Sequence, residues 1–379
     1  MTRKLKILSL VTVTSFLAAP SVAQDSEEVA AYEAIQLFEA AVASPSVPGI
    51  SVALAGRDGV IWAKGFGYAD LENNVKMSIK TKMRFGSVAK VVATAGLMRL
   101  YDQGKIDLDA PIITYVPSWP AKHPTITLRQ LTSHTSGVRH YKGDEFMMNV
   151  PYSDVTTAMG FFKDDPLNYA PGTGHSYSTL AWTVVSAAME GADHTRDFKA
   201  IIRQEVFTPL GLNDTSFDEQ YTIIPNRQRP YSWYEGELVN TPQTDHSYKW
   251  AGGGFISSTS DTSRFAMAHF KGSYLKQETL DEMHTPAKLN DGTDVPFGIG
   301  WMTGWKRSEA RYKNNAEAMR IMSEHPNSVM HSGGSAGGIT MMILCKTHGR
   351  AVTVVKNVDS ESSANVFLLA LKTLDLFHK

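Results

Sequence analysis

Cysteine is almost missing from this 379-residue chain: Cys345 stands alone, so no internal disulfide can form and the fold must rest on its packed core. Cys345 ends the apolar run Met-Met-Ile-Leu-Cys, which predicts a buried, inert thiol. An excess of one charge is missing too. With 37 basic against 38 acidic residues the formal net charge is −1, no basic face is indicated, and nucleic acid is not an expected ligand. The twelve histidines form neither an H-E-x-x-H helix nor a pair with cysteine at zinc spacing, so no metal or other cofactor is expected. A phosphate-binding loop is excluded as well: Gly-Lys occurs once, at Gly104-Lys105, and Arg99 stands where such a loop needs its first glycine. Internal repeats, low-complexity tracts and Pro-rich linkers are absent, so nothing marks a clean domain boundary.

What the chain has begins at its N-terminus. Arg3, Lys4 and Lys6 precede an apolar stretch over residues 7–19, and Ser21-Val22-Ala23 follows, which is the layout of a cleavable secretory signal over residues 1–23. The mature chain is expected to begin near Gln24, with 34 basic and 38 acidic residues and a net charge of −4. The apolar stretch is too short for a membrane span and no cysteine follows it to take a lipid, so a periplasmic or extracellular protein without a stable membrane anchor is expected. At 42% hydrophobic and 10% aromatic residues, the remainder can bury a large core as one unit over 24–379.

The periodicity predicts helix over 26–43, strands over 49–55 and 60–67 joined around Arg57-Asp58-Gly59, and a helix in "RFGSVAKVVATAGLMRLYDQGK" closed by Gly104. Short helices and loops follow from 106 to about 213. Strand and helix signals then mix until residues 339–344 and 351–355 form a hairpin around His348-Gly349, and 364–377 reads as an amphipathic helix. The predicted class is therefore α+β: an antiparallel sheet built from about 24–86 and 225–379, flanked by the terminal helices, with a mainly helical insertion over about 106–215.

Ser87, Lys90 and Thr94 fall on one stripe of the quoted helix, surrounded by Val88, Ala89, Val91, Val92, Ala93, Ala95 and Leu97. Burial of Lys90 lowers its pKa, and a lysine so perturbed beside a hydroxyl is a means of activating a serine nucleophile. The helix start also places the serine's own N–H where negative charge is favoured. Alone, Ser-x-x-Lys is commonly an N-cap with a snorkelling lysine, and Ser273-Tyr274-Leu275-Lys276 repeats the spacing in polar surroundings. Company distinguishes Ser87. "PGTGHSYSTLAW" supplies Tyr177-Ser178-Thr179, and "VMHSGGSAGGITMMIL" supplies His331-Ser332-Gly333 leading into a strand. A phenol serves as a second base where cations lower its pKa, Lys90 being such a cation, and glycines in an edge strand let a substrate approach the backbone.

In these residues the chain resembles the serine beta-lactamase and penicillin-binding-protein superfamily, whose pattern is Ser-x-x-Lys, Tyr-x-Asn and Lys/His-Thr/Ser-Gly. Phe85-Gly86-Ser87, "GKIDLD" from Gly104, "LTSHTSG" from Leu131, Pro171-Gly172-Thr173 and Gly298-Ile299-Gly300-Trp301 extend the likeness over residues 47–355. The Tyr-Ser-Thr form together with "SHTSGVRHY" is most similar to the branch of mitochondrial serine beta-lactamase-like proteins and their bacterial relatives. The resemblance implies that fold, with Ser87 as the acylated nucleophile, Lys90 and Tyr177 as the proton-transfer pair, and His331 as the third-motif cation. It implies an oxyanion hole from the backbone N–H groups of Ser87 and Gly334, and substrate contacts at Thr179, Ser332 and Gly333. Thr179 replaces the expected amide and His331 the lysine of true lactamases, which favours a peptidase or esterase over antibiotic hydrolysis. The expected substrate is a small peptide, an ester or a cell-wall-like compound. A beta-lactamase, a D-amino-acid carboxypeptidase and a weakly catalytic binding or self-assembling scaffold are the alternatives. The loops over 139–153 and 220–250 are expected to line the pocket, and oligomeric state is not encoded legibly.

A competing motif lies inside the third one. Gly333-Gly334-Ser335-Ala336-Gly337 fits G-x-S-x-G, with Asp359 and His378 following in hydrolase order, but that motif needs a strand before it and a helix after it, and the pattern here predicts a hairpin.

Overall fold

The computed structural model of the chain describes residues 22–360 and 364–378. The predicted signal segment lies outside them except for its last two positions, which open α1 (Val22–Val42). The hairpin β1 (Gly49–Gly56) and β2 (Gly59–Asp70) follows, then β3 (Val75–Lys76), β4 (Met83–Arg84) and α2 (Ala89–Asp102). Helices α3 (Leu128–Thr132), α4 (Val155–Ala158), α5 (Leu180–Asp193) and α6 (Phe198–Ile202) occupy the middle of the chain. Next come β5 (Ser216–Phe217), β6 (Tyr231–Tyr234), β7 (Glu237–Asn240), α7 (Trp250–Gly253), β8 (Phe255–Ser257), α8 (Thr259–Ala268) and α9 (Gln277–Met283). The last third supplies β9 (Met302–Thr303), α10 (Lys306–Tyr312), α11 (Ala316–Glu324), β10 (Ser328–Ser335), β11 (Gly338–Cys345), β12 (Arg350–Lys356) and α12 (Val366–Leu376).

Seven strands form one antiparallel sheet in the order β3-β2-β1-β12-β11-β10-β9. Its central strands are buried on both faces, because alternate side chains enter different cores. Ile50, Val52 and Leu54 of β1, Met341 and Ile343 of β11, and Val352 and Val354 of β12 meet Phe38 of α1 and Leu371 of α12. On the other face α8 closes over β1, where Ser51 Oγ is 2.9 Å from Thr259 Oγ1 and Ser263 Oγ donates to the Ala53 carbonyl. A second core, around α2, α5 and α6, fills the helical body. From Ala89 to Met98 every residue of α2 is buried, which is why its apolar residues show no single stripe.

Past residue 225 the chain touches the end of the sheet at Tyr231, whose N–H donates to the Asn357 carbonyl, before it supplies a strand to it. Tyr248, Trp250, Phe255, Phe265, Leu280, Met283 and Trp301 all join the helical core, and the chain re-enters the main sheet only at β9. β9 pairs with Val329 and Met330 alone, so the remainder of β10 faces the cleft between the two bodies along an open edge.

Candidate active site

Ser87 sits in a 3-10 turn, Gly86–Val88, that leads directly into α2, and no side chain caps it. The serine is half-buried while Lys90, one turn on, is fully buried. Lys90 Nζ lies 3.1 Å from Ser87 Oγ, 3.1 Å from Thr179 Oγ1 and 2.6 Å from the Gly252 carbonyl oxygen. None of the described ion pairs involves it, and burial, reinforced by the charge of Lys249, pushes its pKa well below the usual lysine range. A neutral amine has two hydrogens and one lone pair. When neutral, the amine can give its hydrogens to the Gly252 carbonyl and the Thr179 hydroxyl and turn its lone pair toward the Ser87 proton.

Tyr177 completes the floor. Lys90 Nζ stands 4.9 Å from the centre of its ring. Burial raises the phenol's pKa, and the Ser87 hydroxyl, the Arg307 charge and Thr179 draw it partly back. The expectation that a Lys90 cation lowers this pKa is therefore reversed: burial holds the phenol neutral, and the same dry surroundings disfavour an ammonium at Lys90.

His331, expected as a cation, is also neutral. Burial and the neighbouring Lys90 hold its pKa down at about 3, its Nδ1 lies 2.6 Å from the Ser332 carbonyl, and its Nε2 has no partner among the described residues. Gly333 points away from any substrate. A Cβ there would be driven into the Phe85 carbonyl and against the Ser87 nitrogen, so its bare Cα is what lets β10 lie against the nucleophile turn. Gly86, at φ +51°, makes the reciprocal approach to Gly334. Gly334 itself is open to the cleft, as is Ser332. Thr179, expected to touch substrate, is buried and bonded to Lys90 instead.

The segment "SHTSGVRHY" has a visible task. His134 Nδ1 accepts from the Ser178 N–H at 3.1 Å and His140 Nδ1 from the Thr179 N–H at 3.2 Å, while Ser178 Oγ donates to the Arg139 carbonyl. The two imidazoles thus grip the backbone just after Tyr177, and the His134 ring lies 4.4 Å from the tyrosine ring.

Two cavities meet at Ser87, Tyr177 and Gly334. The larger, of about 340 Å³, runs past Phe297, Met302, Met341 and Phe367 to Arg307, Arg311 and Tyr312 of α10. The smaller, of about 110 Å³, is walled by His140, Tyr141, Phe146 and Lys249. The loop predicted at 139–153 does line it, but Lys249 is the one residue of 220–250 that does so. Lys249 is buried, with a pKa lowered to about 7 by burial and by Arg84, and its signal was the adjoining run Gly252-Gly253-Gly254, whose close approach to Thr179 draws this segment in. Arg307 had no signal in sequence, since an arginine on a short exposed helix is ordinary.

The competing motif does not assemble. Ser335 ends one strand and the next begins three residues later, its Oγ donates to the Gly338 carbonyl, and Asp359 holds Ser232. His378 packs instead on His325 and His348 beside Cys345. Lys276 of the repeated Ser-x-x-Lys spacing is exposed on Asp102. The thiol of Cys345 is buried as predicted, yet it has two histidine neighbours, so the sequence reading overlooked the Cys-x-x-His spacing of Cys345 and His348.

A match to the Beta-lactamase family covers residues 34–373. The serine beta-lactamase-like protein LACTB, mitochondrial, of Homo sapiens is 27% identical over 385 residues, which takes in 78% of this chain and 68% of the relative. Among solved structures, EstCE1, a hydrolase with promiscuous acyltransferase activity, superposes with a TM-score of 0.75 at 19% identity, covering 95% of this chain and all of the other. A D-stereospecific amidohydrolase from Streptomyces sp. superposes with a TM-score of 0.68 at 21% identity, covering 87% and 94%. With the match running nearly end to end over the α+β fold described above, the chain belongs to the beta-lactamase family, within a superfamily of serine hydrolases.

Proposed function

We propose that the protein is a serine hydrolase that forms an acyl-enzyme at Ser87 and releases it to water, acting on a peptide amide or an ester. One observation carries this reading: a fully buried lysine without a carboxylate partner lies 3.1 Å from the Ser87 hydroxyl. In the first step the Ser87 proton passes to the Lys90 amine as Oγ bonds to the substrate carbonyl carbon. The bond to the leaving group then breaks, and that group takes a proton through Tyr177. Water repeats the sequence in reverse and frees the acid. The N–H groups of Ser87 and Gly334, beside one another across the Gly86 approach, would receive the oxyanion.

The open edge of β10 suits an extended substrate that adds as a strand, with an apolar side chain in the larger cavity. The amidohydrolase and the acyltransferring hydrolase among the structural neighbours support amide hydrolysis and acyl transfer on this fold. Export follows from the basic, apolar and small-residue order of residues 1–23. A fluorophosphonate probe tests the assignment. Wild type and Ser335→Ala should be labelled and Ser87→Ala should not; a folded wild type that takes no label at Ser87 would falsify the hydrolase reading.

A further inference from the structure

The mechanism uses nothing at the far end of β10 and β11. Cys345 is paired with Ser328 there, whereas Gly334 pairs with Ile339 at the cleft end, six residues along the strand and roughly 20 Å away at about 3.3 Å per residue. At that far end Cys345 Sγ lies 3.4 Å from His325 Nδ1 and 3.3 Å from His348 Nδ1, and the two nitrogens are 3.2 Å apart. We propose that Cys345, His325 and His348 form a zinc site, built into the fold and separate from the hydrolytic centre.

The geometry carries this. Three atoms that far apart share a point about 1.9 Å from each, and an ion roughly 1 Å off their plane reaches all three at about 2.1–2.2 Å, close to ordinary Zn–N and Zn–S lengths. In a regular tetrahedral site, two nitrogens stand about 3.3 Å apart, and nitrogen and sulfur about 3.6 Å. The triangle here needs only a slight expansion. The donor set is two imidazoles and one thiolate, which suits zinc rather than magnesium or calcium.

The ligands are also held in place. His325 is fully buried and closes α11; its carbonyl accepts from Trp305 Nε1 and from Ser328 Oγ, each at 2.8 Å, and its Nε2 has no partner among the described residues. Cys345 ends β11, and His348 stands in the tight turn into β12, where the Gly349 N–H returns to the Cys345 carbonyl. Thr347 Oγ1 ties this turn to the Pro326 carbonyl, next to His325. The His378 ring packs on both ligand rings, 3.6 Å from that of His348 and 5.0 Å from that of His325. On binding, the thiol proton leaves to solvent and the Zn–S bond replaces it.

The test uses untagged full-length protein, stripped with a chelator, then given one equivalent of zinc and dialysed. Wild type should retain one zinc per chain and gain thermal stability from it. Cys345→Ala and His348→Ala should bind zinc at least a hundredfold more weakly; His348 lies in a surface turn, so that variant keeps the fold. Cobalt in place of zinc should give the intense bands of a tetrahedral thiolate complex, lost in Cys345→Ala. Hydrolysis by His348→Ala should match wild type. Zinc retention by His348→Ala equal to that of wild type, or weak octahedral cobalt bands, would overturn the site; selective retention of copper with an intense visible band would overturn zinc as its ion.

Discussion

Lys90 and Lys249 are two lysines in one dry pocket, and the charge of Lys249 makes Lys90 harder to charge. For Lys90 the larger cause is burial, with the Lys249 charge second; for Lys249, burial comes first and Arg84 next, leaving it near 7. The proposed chemistry needs Lys90 neutral, so activity should fall on the acid side as Lys90 takes up a proton. Below about pH 7 Lys249 is itself charged, and its field keeps Lys90 deprotonated to lower pH. Removing that field in Lys249→Met lets Lys90 bind its proton more readily, so the acid limb of the kcat/KM profile moves to higher pH. A limb that stays put or moves down would show that Lys249 only fills space. Of these residues, the sequence disclosed Lys90 because its surroundings are local: seven apolar neighbours lie on the same helix. Lys249 reaches the pocket from 159 residues along the chain, and its burial depends on packing against Tyr141, Phe146 and Tyr248 that no local pattern encodes.

β10 and the Gly86–Val88 turn work as a pair of backbones in contact, and two adjacent glycines on one strand divide the tasks. Gly333 faces the turn, where any side chain forces the strand off the Phe85 carbonyl; Gly334 faces the open cleft, where a Cβ meets nothing within 4 Å. Gly333→Ala should therefore displace the oxyanion donors and lower kcat by about a hundredfold or more, the usual cost of losing one such donor. Gly334→Ala should leave the unfolding midpoint unchanged and act only on substrates that crowd the strand, read as KM. Equal stability and equal kcat for the two variants would mean that the close approach is unimportant. The pairing was partly legible. The strand after His331 and the hairpin to residue 355 follow from alternating and β-branched residues, and that pattern alone argues against the G-x-S-x-G alternative. The facing of each glycine was not legible, because a residue without a side chain gives no alternation to read. The same limit applies to α10, a short helix whose arginines reach the cleft only because β9 and β10 set it on the sheet edge.

At the scale of the whole molecule, one core lies between the sheet and the terminal helices and the other between the opposite face of the sheet and the helical body, and the cleft is the seam beside the free edge of β10. This division was readable in outline, since strand patterns gather at the chain ends and helical ones in the middle, but aromatic residues between 248 and 301 also fill the core around α2 and α5, while α8 of the same segment packs on β1. The C-terminal α12 belongs to the sheet body and yet reaches the seam. Leu371 is fully buried in the sheet core, whereas Phe367, also buried there, stacks on Tyr312 at 4.7 Å and lines the larger cavity. Leu371→Ala should cost about 2–5 kcal/mol and Phe367→Ala about 3–5 kcal/mol, the range for emptying such core positions. Urea unfolding would read both losses. Substrate binding should separate them: the folded fraction of Leu371→Ala keeps the wild-type KM, while Phe367→Ala loses an apolar wall and Tyr312 its stacking partner, so KM rises several-fold for substrates with a large apolar group and little for small ones. If Leu371→Ala raised KM as much as Phe367→Ala does, the seam would have to move with the sheet core as a whole, and the larger cavity would not be the binding wall assigned to it.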